Sequence, residues 1–423
     1  MNYQSLKSKV DSILPELKIS SKLYEPNYKG LYGNTHHILF ARKDGSSEQA
    51  IKSAADELAS SATNITDRYD YLYGLYEAIA KTLEEGRQEI SDFQLEEIVK
   101  NIKTKPEIEF DAFVALKGVR NDSENSIKLG PFTVGKRKWN DLIIECPEKS
   151  CFWKYIDDAT EEEGNLYVHF KVKAKTVNSA RIVAKDKFKL FENILSYMLA
   201  DCFNNTFGNV EGQMSSLPVK DNLILFECGK EEACIELIAE NPEAPISDSR
   251  IDISNQELTN AIMGYDWIWK LTTKSKQELS EIEKIVISAI RWMGEAARNS
   301  NNNMSLVQII FGLETLLFTK EKDQMITPSI AYQLSEAAAF IGGGSQEERI
   351  DIENSVKKLW RRRSQIVHGG SESADIIEIY EATALVKKII GSLIVKIKEN
   401  GINTKDDIRD WVKKTKYSNS QTL

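Results

Sequence analysis

The sequence predicts an α+β protein in which an N-terminal helical segment and a mixed β-sheet domain precede an all-α helical bundle. Apolar residues recur at spacings of three and four up to about residue 105, and at a spacing of two from Ile108. The three- and four-residue spacing returns after residue 255. These are the periods of amphipathic helices and of half-buried strands. We therefore divide the 423 residues into 1–105, 106–250, 255–400 and a tail, 401–423.

Composition indicates a globular protein of the cytoplasm. The chain is 41% hydrophobic and 28% charged, and it contains no run of about 18 apolar residues that would predict a membrane span. The segment MNYQSLKSKV lacks the apolar core of a signal peptide, and five cysteines without a CxxC pair fit a reducing compartment. A net charge of -9 argues against an extended nucleic-acid-binding surface, but a local basic site remains compatible with it.

The sequence predicts no metal site and no cofactor. Cys146, Cys151 and His169 are too few for structural zinc, which needs four ligands at recognisable spacings. The adjacent His36 and His37 have no cysteine or carboxylate at ligand spacing, so we expect them at the surface.

The first region is expected to be mainly helical. Apolar spacing predicts helices over Gln49–Ser60, Thr66–Glu84 and Asp92–Ile102. The segment Tyr24–Ser47, which is rich in Gly, Asn and Tyr, is expected to be a loop.

The second region is expected to form a sheet, with one helix over Ser179–Phe203. Predicted strands cover Glu107–Val119, Ile127–Val134, Asp141–Glu145, Leu166–Thr176 and Asn222–Cys228. One face of the Leu166 strand is apolar, and the other carries Lys171, Lys173 and Lys175. These lysines meet either RNA phosphates or solvent, and the pattern leaves both open. Phe188, Phe191, Leu195 and Met198 on the helix are the expected packing partners of the apolar face.

Two further segments are expected to be irregular. The turn-rich stretch Asn241–Ser254 is the expected linker to the helical bundle. After Gly401 we expect one amphipathic turn at Ile408–Val412 and then a disordered polar tail.

The most informative stretch is DIENSVKKLWRRRSQIVHGG, residues 351–370. On a helix Arg363 lies in the middle of an apolar stripe that contains Ile352, Val356, Leu359, Ile366 and Val367. A guanidinium keeps its charge, so such a position requires an anion beside it. Glu314 flanks the apolar stripe of an upstream predicted helix and is the candidate partner. His368 precedes Gly369 and Gly370, which are typical of a helix C-terminus, so the helix should end at the histidine.

The string Arg-Ser-Gln-Ile-Val-His-Gly resembles the signature of the HEPN superfamily, and most closely its Apea-like branch. Residues 289–317 resemble that branch's opening helix pair, and residues 376–397 its closing helix. The resemblance implies a metal-independent endoribonuclease that acts as a homodimer through its C-terminal helical domain. It also implies a toxin or antiviral effector, which a regulatory or trigger protein could control.

RNA cleavage by this route uses the 2'-hydroxyl as nucleophile, so the protein must supply proton transfer and a cation. His368 fits the first role, as base or acid, and Arg363 fits the second. Ser364 offers a hydroxyl to a phosphate oxygen or to the histidine, and Glu314 orients the arginine. The neighbouring basic residues are expected to bind RNA; they are Lys357, Lys358, Arg361 and Arg362.

Five helical steps place His368 about 140° from Arg363 around the helix. The two can converge if the last turn unwinds at Gly369, or if two chains each contribute part of a composite site. The alternative function is a non-catalytic dimerisation module with an RNA- or protein-binding sheet domain. In that case Arg363 and Glu314 only stabilise the bundle, and His368 caps carbonyls.

Overall fold

A computed structural model describes residues 3–20, 28–33, 38–42, 46–59, 65–116, 119–123, 125–137, 165–200, 222–227, 233–237, 251–254, 256–275, 277–318, 330–369 and 373–418. Within these residues the protein belongs to the mixed α+β class, as predicted. The chain divides into two compact units. The first comprises residues 1–112, 171–186 and 223–235, and the second comprises residues 113–170, 187–222 and 236–423.

The N-terminal elements combine helices with a small sheet. The helices are α1 (Tyr3–Ile13), α2 (Ser46–Leu58), α3 (Ile65–Glu84) and α4 (Asp92–Thr104), and the strands are β1 (Lys18–Ser20), β2 (Tyr28–Gly33) and β3 (Ile38–Arg42). The three strands pair in the order β1-β3-β2. Apolar stripes of the four helices, including Leu6, Ile51, Leu75 and Leu95, form one core. Helix α4 begins at a capping box in which Ser91 and Gln94 satisfy each other's backbone amides.

Further strands and one long helix follow. They are β4 (Ile108–Leu116), β5 (Val119–Arg120), β6 (Ile127–Leu129), β7 (Phe132–Arg137), β8 (Asn165–Ala174), α5 (Val177–Leu199), β9 (Asn222–Glu227), β10 (Ala233–Leu237) and β11 (Ile251–Asp252). Six strands pair in the order β10-β9-β4-β8-β7-β6, and β11 pairs with β5. Strands β7 and β8 are antiparallel, with Val134 opposite Val168.

The remaining elements are helical. They are α6 (Tyr265–Leu271), α7 (Glu281–Ala297), α8 (Asn302–Leu317), α9 (Ile330–Gly342), α10 (Gln346–Val367), α11 (Ile376–Asn400) and α12 (Lys405–Ser418). The starts of α7, α10 and α11 are fixed by capping boxes at Ser280, Ser345 and Asp375. The buried faces of α7, α8 and α11 form the core of this part, which includes Ile290, Leu313 and Ile390.

Several expectations are confirmed. Helices α2, α3, α4 and α5 and strands β8 and β9 lie within a few residues of the predicted bounds. Phe191 of α5 and Phe170 of β8 both contact Phe132 of β7, at 4.9 Å and 5.4 Å between ring centroids, so the helix and the strand share one aromatic cluster. Direct packing of the four expected helix residues on β8 stays a prediction. Residues 343–345, two of which are glycines, connect α9 to α10. His36, His37, Cys146, Cys151 and the predicted strand Asp141–Glu145 lie outside the described residues.

Four local expectations were wrong. The segment Tyr24–Ser47 contains β2 and β3, because backbone pairing compensates for the weak strand propensity of its glycines. Residues 127–134 are a hairpin and not one strand, since Gly130 adopts a φ of +58° before Pro131. The end of the expected linker forms β11, where Ile251 pairs with Val119. The expected tail forms α12, which buries Ile408 and Val412.

Candidate functional site

The start of α10 is fixed by glycines and by a cap. The Ser345 hydroxyl accepts a hydrogen bond from the amide of Glu348 at 3.2 Å, and the Glu348 carboxylate accepts one from the amide of Gly344 at 2.7 Å. A Cβ atom on Gly343 would lie 2.7 Å from Cγ of Arg349 and 2.9 Å from the carbonyl oxygen of Ala339. The backbone therefore turns closely from α9 into α10, and Ile352 and Val356 are buried on the first turns.

The other end of α10 is at His368, as predicted. The His368 amide donates to the carbonyl of Ser364 at 3.0 Å, and Gly369 then adopts a φ of +77°. Helical hydrogen bonding thus continues up to the histidine. Arg363 and His368 consequently keep the separation of about 140° around the helix that five residues impose. Unwinding of the last turn, one of the two predicted routes to convergence, does not occur in this structure.

His368 lies at a surface end of the helix. Its side chain is exposed, and the neighbouring Val367 is 52% exposed although it belongs to the predicted apolar stripe. Ser364 is half-buried one turn earlier. The stripe is therefore buried at Ile352 and Val356 and reaches solvent near the histidine.

Arg363 lies among aromatic rings. Its Cζ atom is 5.0 Å from the centroid of the Trp360 ring and 5.5 Å from that of Phe311. Phe311 in turn contacts Trp292 edge to face at 5.3 Å. Trp360 and Arg363 are three residues apart on α10, so they share a face of the helix. Phe311 and Glu314 have the same spacing on α8.

Glu314 lies beside Arg363, but the two are not hydrogen-bonded. The distance from Arg363 Nε to Glu314 Oε1 is 3.8 Å, and the side chains are 25% and 24% exposed. Both of these atoms are inaccessible to solvent and have no hydrogen-bond partner within the described part of the chain. Burial raises the pKa of the Glu314 carboxyl, and the nearby Arg363 only partly opposes this effect. The role of Glu314 in orienting the guanidinium stays a prediction.

Arg362 has a different environment from Arg363. Its Nε donates to Glu378 Oε1 at 3.2 Å, and its Nη2 donates to the carbonyl oxygen of Ser373 at 3.2 Å. Glu378 also completes the capping box of α11. Arg362 therefore connects the end of α10 to the start of α11. These contacts engage its guanidinium, which the sequence suggested for RNA binding.

The other predicted RNA-binding residues differ in exposure. Arg361 and Lys358 are exposed on α10, whereas Lys357 forms an i,i+4 ion pair with Glu353 at 2.5 Å. On β8, Lys171 pairs with Glu109 at 2.7 Å and Lys175 donates to the carbonyl of Ile102 at 3.0 Å. Lys173 is exposed on the same face. RNA binding by any of them stays a prediction.

The polar face of β8 is less open than its sequence suggests. Tyr167 is buried, and His169 stacks on Phe113 with 4.5 Å between the ring centroids. Tyr167 and His169 therefore occupy part of the face of β8 on which the lysines lie.

The sequence reasoning missed the aromatic residues around Arg363. Trp360, Phe311 and Trp292 are half-buried and come from three different helices. The three-residue spacing from Trp360 to Arg363 and from Phe311 to Glu314 is the signal that could have revealed the first two. We call Trp292, Phe311, Glu314, Trp360 and Arg363 the aromatic-arginine site.

Comparison with family models, curated proteins and solved structures finds no match to this chain. Among the described residues, no group of three or more His, Cys, Asp or Glu side chains is arranged to hold a metal ion. The same residues include no helix with the length and apolarity needed to cross a membrane.

Proposed function

We propose that this protein is an endoribonuclease of the HEPN type, which cleaves RNA without a catalytic metal in the cytoplasm. The single observation that carries the proposal is the state of Arg363. Buried polar atoms of a pair that only stabilises a fold are normally hydrogen-bonded, whereas here the facing atoms of Arg363 and Glu314 are 3.8 Å apart and have no hydrogen-bond partner among the described residues. Buried polar atoms without a hydrogen-bond partner are rare, and a catalytic role is one explanation for them. The resemblance of the 363–369 string supplies the reaction class.

The reaction follows from the chemistry of RNA itself. The ribose 2'-oxygen attacks the adjacent phosphorus and gives its proton to a base. The bond from phosphorus to the 5'-oxygen breaks, and the leaving 5'-oxygen takes up a proton from an acid or from water. The products carry a 2',3'-cyclic phosphate and a 5'-hydroxyl. Arg363 stabilises the additional negative charge on the phosphoryl oxygens, and His368 transfers a proton as base or acid. Ser364 provides a hydroxyl for a phosphate oxygen.

The helix geometry supports a composite site. Because α10 remains helical up to the amide of His368, Arg363 and His368 of one chain point in directions about 140° apart. In our proposal, two copies of α10 meet across a two-fold axis, and the arginine of one chain faces the histidine of the other. The protein is then a homodimer through its helical C-terminal part. A role as toxin or antiviral effector under a trigger protein belongs to the same proposal.

A mixing experiment tests this arrangement. Arg363→Lys and His368→Ala chains should each cleave a labelled RNA at about 1% or less of the wild-type rate. An equimolar mixture that exchanges subunits should recover about a quarter of the wild-type activity, because half of the dimers then contain one intact site out of two. Gln365→Ala, which changes an exposed residue on the same turn, is the matched control and should cleave normally.

Four results would contradict the proposal. Normal cleavage by folded His368→Ala protein would remove the histidine from the mechanism. Loss of cleavage in EDTA with recovery in magnesium would indicate metal-assisted chemistry. A monomer that cleaves at full rate, or a mixture without recovery, would exclude the composite site.

A non-catalytic helical module is the second candidate, and one observation favours it. Arg363 and Glu314 are in contact within the helical part of one chain, which a purely structural pair would also require. Wild-type protein that dimerises but leaves RNA intact under all conditions would select this function.

A further inference from the structure

The aromatic-arginine site differs from a second aromatic cluster of the same unit. Phe132, Phe170, Phe191 and Trp269 are all buried, with exposed fractions of 2% or less. Trp360, Phe311 and Trp292 are only half-buried, although they come from helices with well-formed apolar faces. Partly exposed rings forgo part of the hydrophobic stabilisation that burial would provide. Core packing therefore does not account for their position.

The rings are combined with charge in a way that matches single-stranded nucleic acid. Proteins bind unpaired bases by stacking them on aromatic rings and guanidinium planes, and they bind the backbone with nearby cations. Arg363 lies over Trp360 and Phe311, and Arg361 is exposed one residue after Trp360. Glu314 adds a carboxylate whose side chain is 24% exposed, and a carboxylate can accept hydrogen bonds from the N–H groups of a base edge.

We propose that Trp360 and Phe311, together with Arg363, form a subsite that stacks one unpaired base of a single-stranded RNA substrate. This inference rests on the proposed function, since it identifies the substrate class of the same site. The subsite positions the ribose and phosphate next to the stacked base at Arg363. Arg361 and Lys358 on the exposed side of α10 then contact the phosphates that follow. Duplex RNA, whose bases are already stacked, does not fit this subsite.

Binding of a fluorescent single-stranded 2'-O-methyl RNA to the full-length protein tests the subsite without interference from cleavage, because the attacking hydroxyl is blocked. Trp360→Leu should raise the Kd by roughly tenfold to a hundredfold, while the slope of log Kd against log salt concentration stays unchanged. Trp360→Phe should restore most of the affinity, because it keeps an aromatic face. An oligonucleotide with abasic sites should bind Trp360→Leu and wild-type protein equally.

The chain provides a matched control at Trp411. This tryptophan is also half-buried, and Lys396 Nζ lies 4.8 Å from its ring centroid, so it reproduces a cation over a surface indole on another helix. Trp411→Leu should bind the RNA as tightly as wild-type protein. Circular dichroism and melting of both leucine variants would identify a loss of affinity that comes from unfolding, and Phe311→Leu gives an independent second measurement.

The outcomes separate this inference from the proposed function. Trp360-dependent binding by a wild-type protein that leaves unmodified RNA intact would support the subsite and remove the nuclease. Cleavage with unchanged binding in both Trp360→Leu and Phe311→Leu would overturn the subsite and keep the nuclease. Four results would each overturn the subsite. The first is an equal loss of RNA affinity in Trp360→Leu and Trp411→Leu, and the second is a loss of affinity in Trp360→Leu that is as large for abasic RNA as for intact RNA. The others are a preference for duplex RNA and the absence of any RNA binding.

Discussion

Two neighbouring arginines on the last turns of α10 lie in contrasting environments. Arg362 faces the start of α11, where it donates to Glu378 and to the carbonyl of Ser373, both at 3.2 Å. Arg363 faces α8, where its Nε lies 3.8 Å from Glu314 and remains without a hydrogen bond in the described part of the chain. The side chains are similarly exposed, at 19% and 25%. Solvent access therefore does not explain the difference.

The comparison separates a structural arginine from a candidate functional one. Arg362 has the partners that a charge in a protein interior requires, and those partners also fix a helix N-terminus. Arg363 lies 3.8 Å from the Glu314 carboxylate, a distance that leaves the facing atoms of both groups without a hydrogen bond among the described residues. It also lies over the Trp360 ring, which can accommodate a ligand. The sequence placed Arg363 in an apolar stripe and Arg362 beside it, but it did not show which of them would have a hydrogen-bonded partner.

The largest expected difference is in catalysis. Arg363→Lys should lower kcat for RNA cleavage by about a hundredfold, because lysine lacks the planar fork that matches a phosphoryl group. Arg362→Lys should leave the cleavage rate of bound RNA nearly unchanged. Steady-state kinetics of the two variants measure kcat. Equal effects on kcat would show that the different environments of Arg362 and Arg363 do not correspond to different functions.

The next difference is in stability and has the opposite order. Arg362→Ala should lower the free energy of unfolding by about 1.5 kcal/mol, because it leaves Glu378 and a backbone carbonyl without their donor. Arg363→Ala should lower it by about 1 kcal/mol or less, since among the described residues it loses an ion pair at 3.8 Å and no hydrogen bond. Denaturant unfolding compares them. A loss of about 3 to 5 kcal/mol in Arg363→Ala would assign Arg363 to the structure of the bundle.

The smallest effect concerns Glu314 and pH. The pKa of this carboxyl is raised by burial, so the folded state holds its proton more tightly than the unfolded state does. The contribution of Glu314 to stability therefore decreases as pH rises from the ordinary glutamate pKa through the raised one. Glu314→Gln should melt slightly above wild-type protein at neutral pH, and the two melting temperatures should converge below about pH 4. A variant that melts below wild-type protein at neutral pH would contradict this.

Short-range sequence signals predicted much of the fold. Apolar spacing gave the extent of α4, and Gly369 after His368 gave the end of α10. These signals succeed because helix periodicity and caps depend on residues close together in the chain. The hairpin of β2 and β3 escaped prediction because the glycines of β2 weaken its local signal, and pairing with β3 overrides it. Helix α12 escaped because packing of Ile408 and Val412, and not propensity, stabilises it.

For the candidate site, the sequence by itself determined the residue types and their spacing along each helix. It placed Arg363 in an apolar stripe and His368 at a helix end, and it identified Glu314 as a half-buried carboxylate. Only the tertiary structure decided which arginine received a hydrogen-bonded partner, and only it brought Trp292, Phe311 and Trp360 together from three helices. The physical reason is that spacing fixes the face of a helix on which a side chain lies. The packing of helices far apart in sequence then determines what that face contacts.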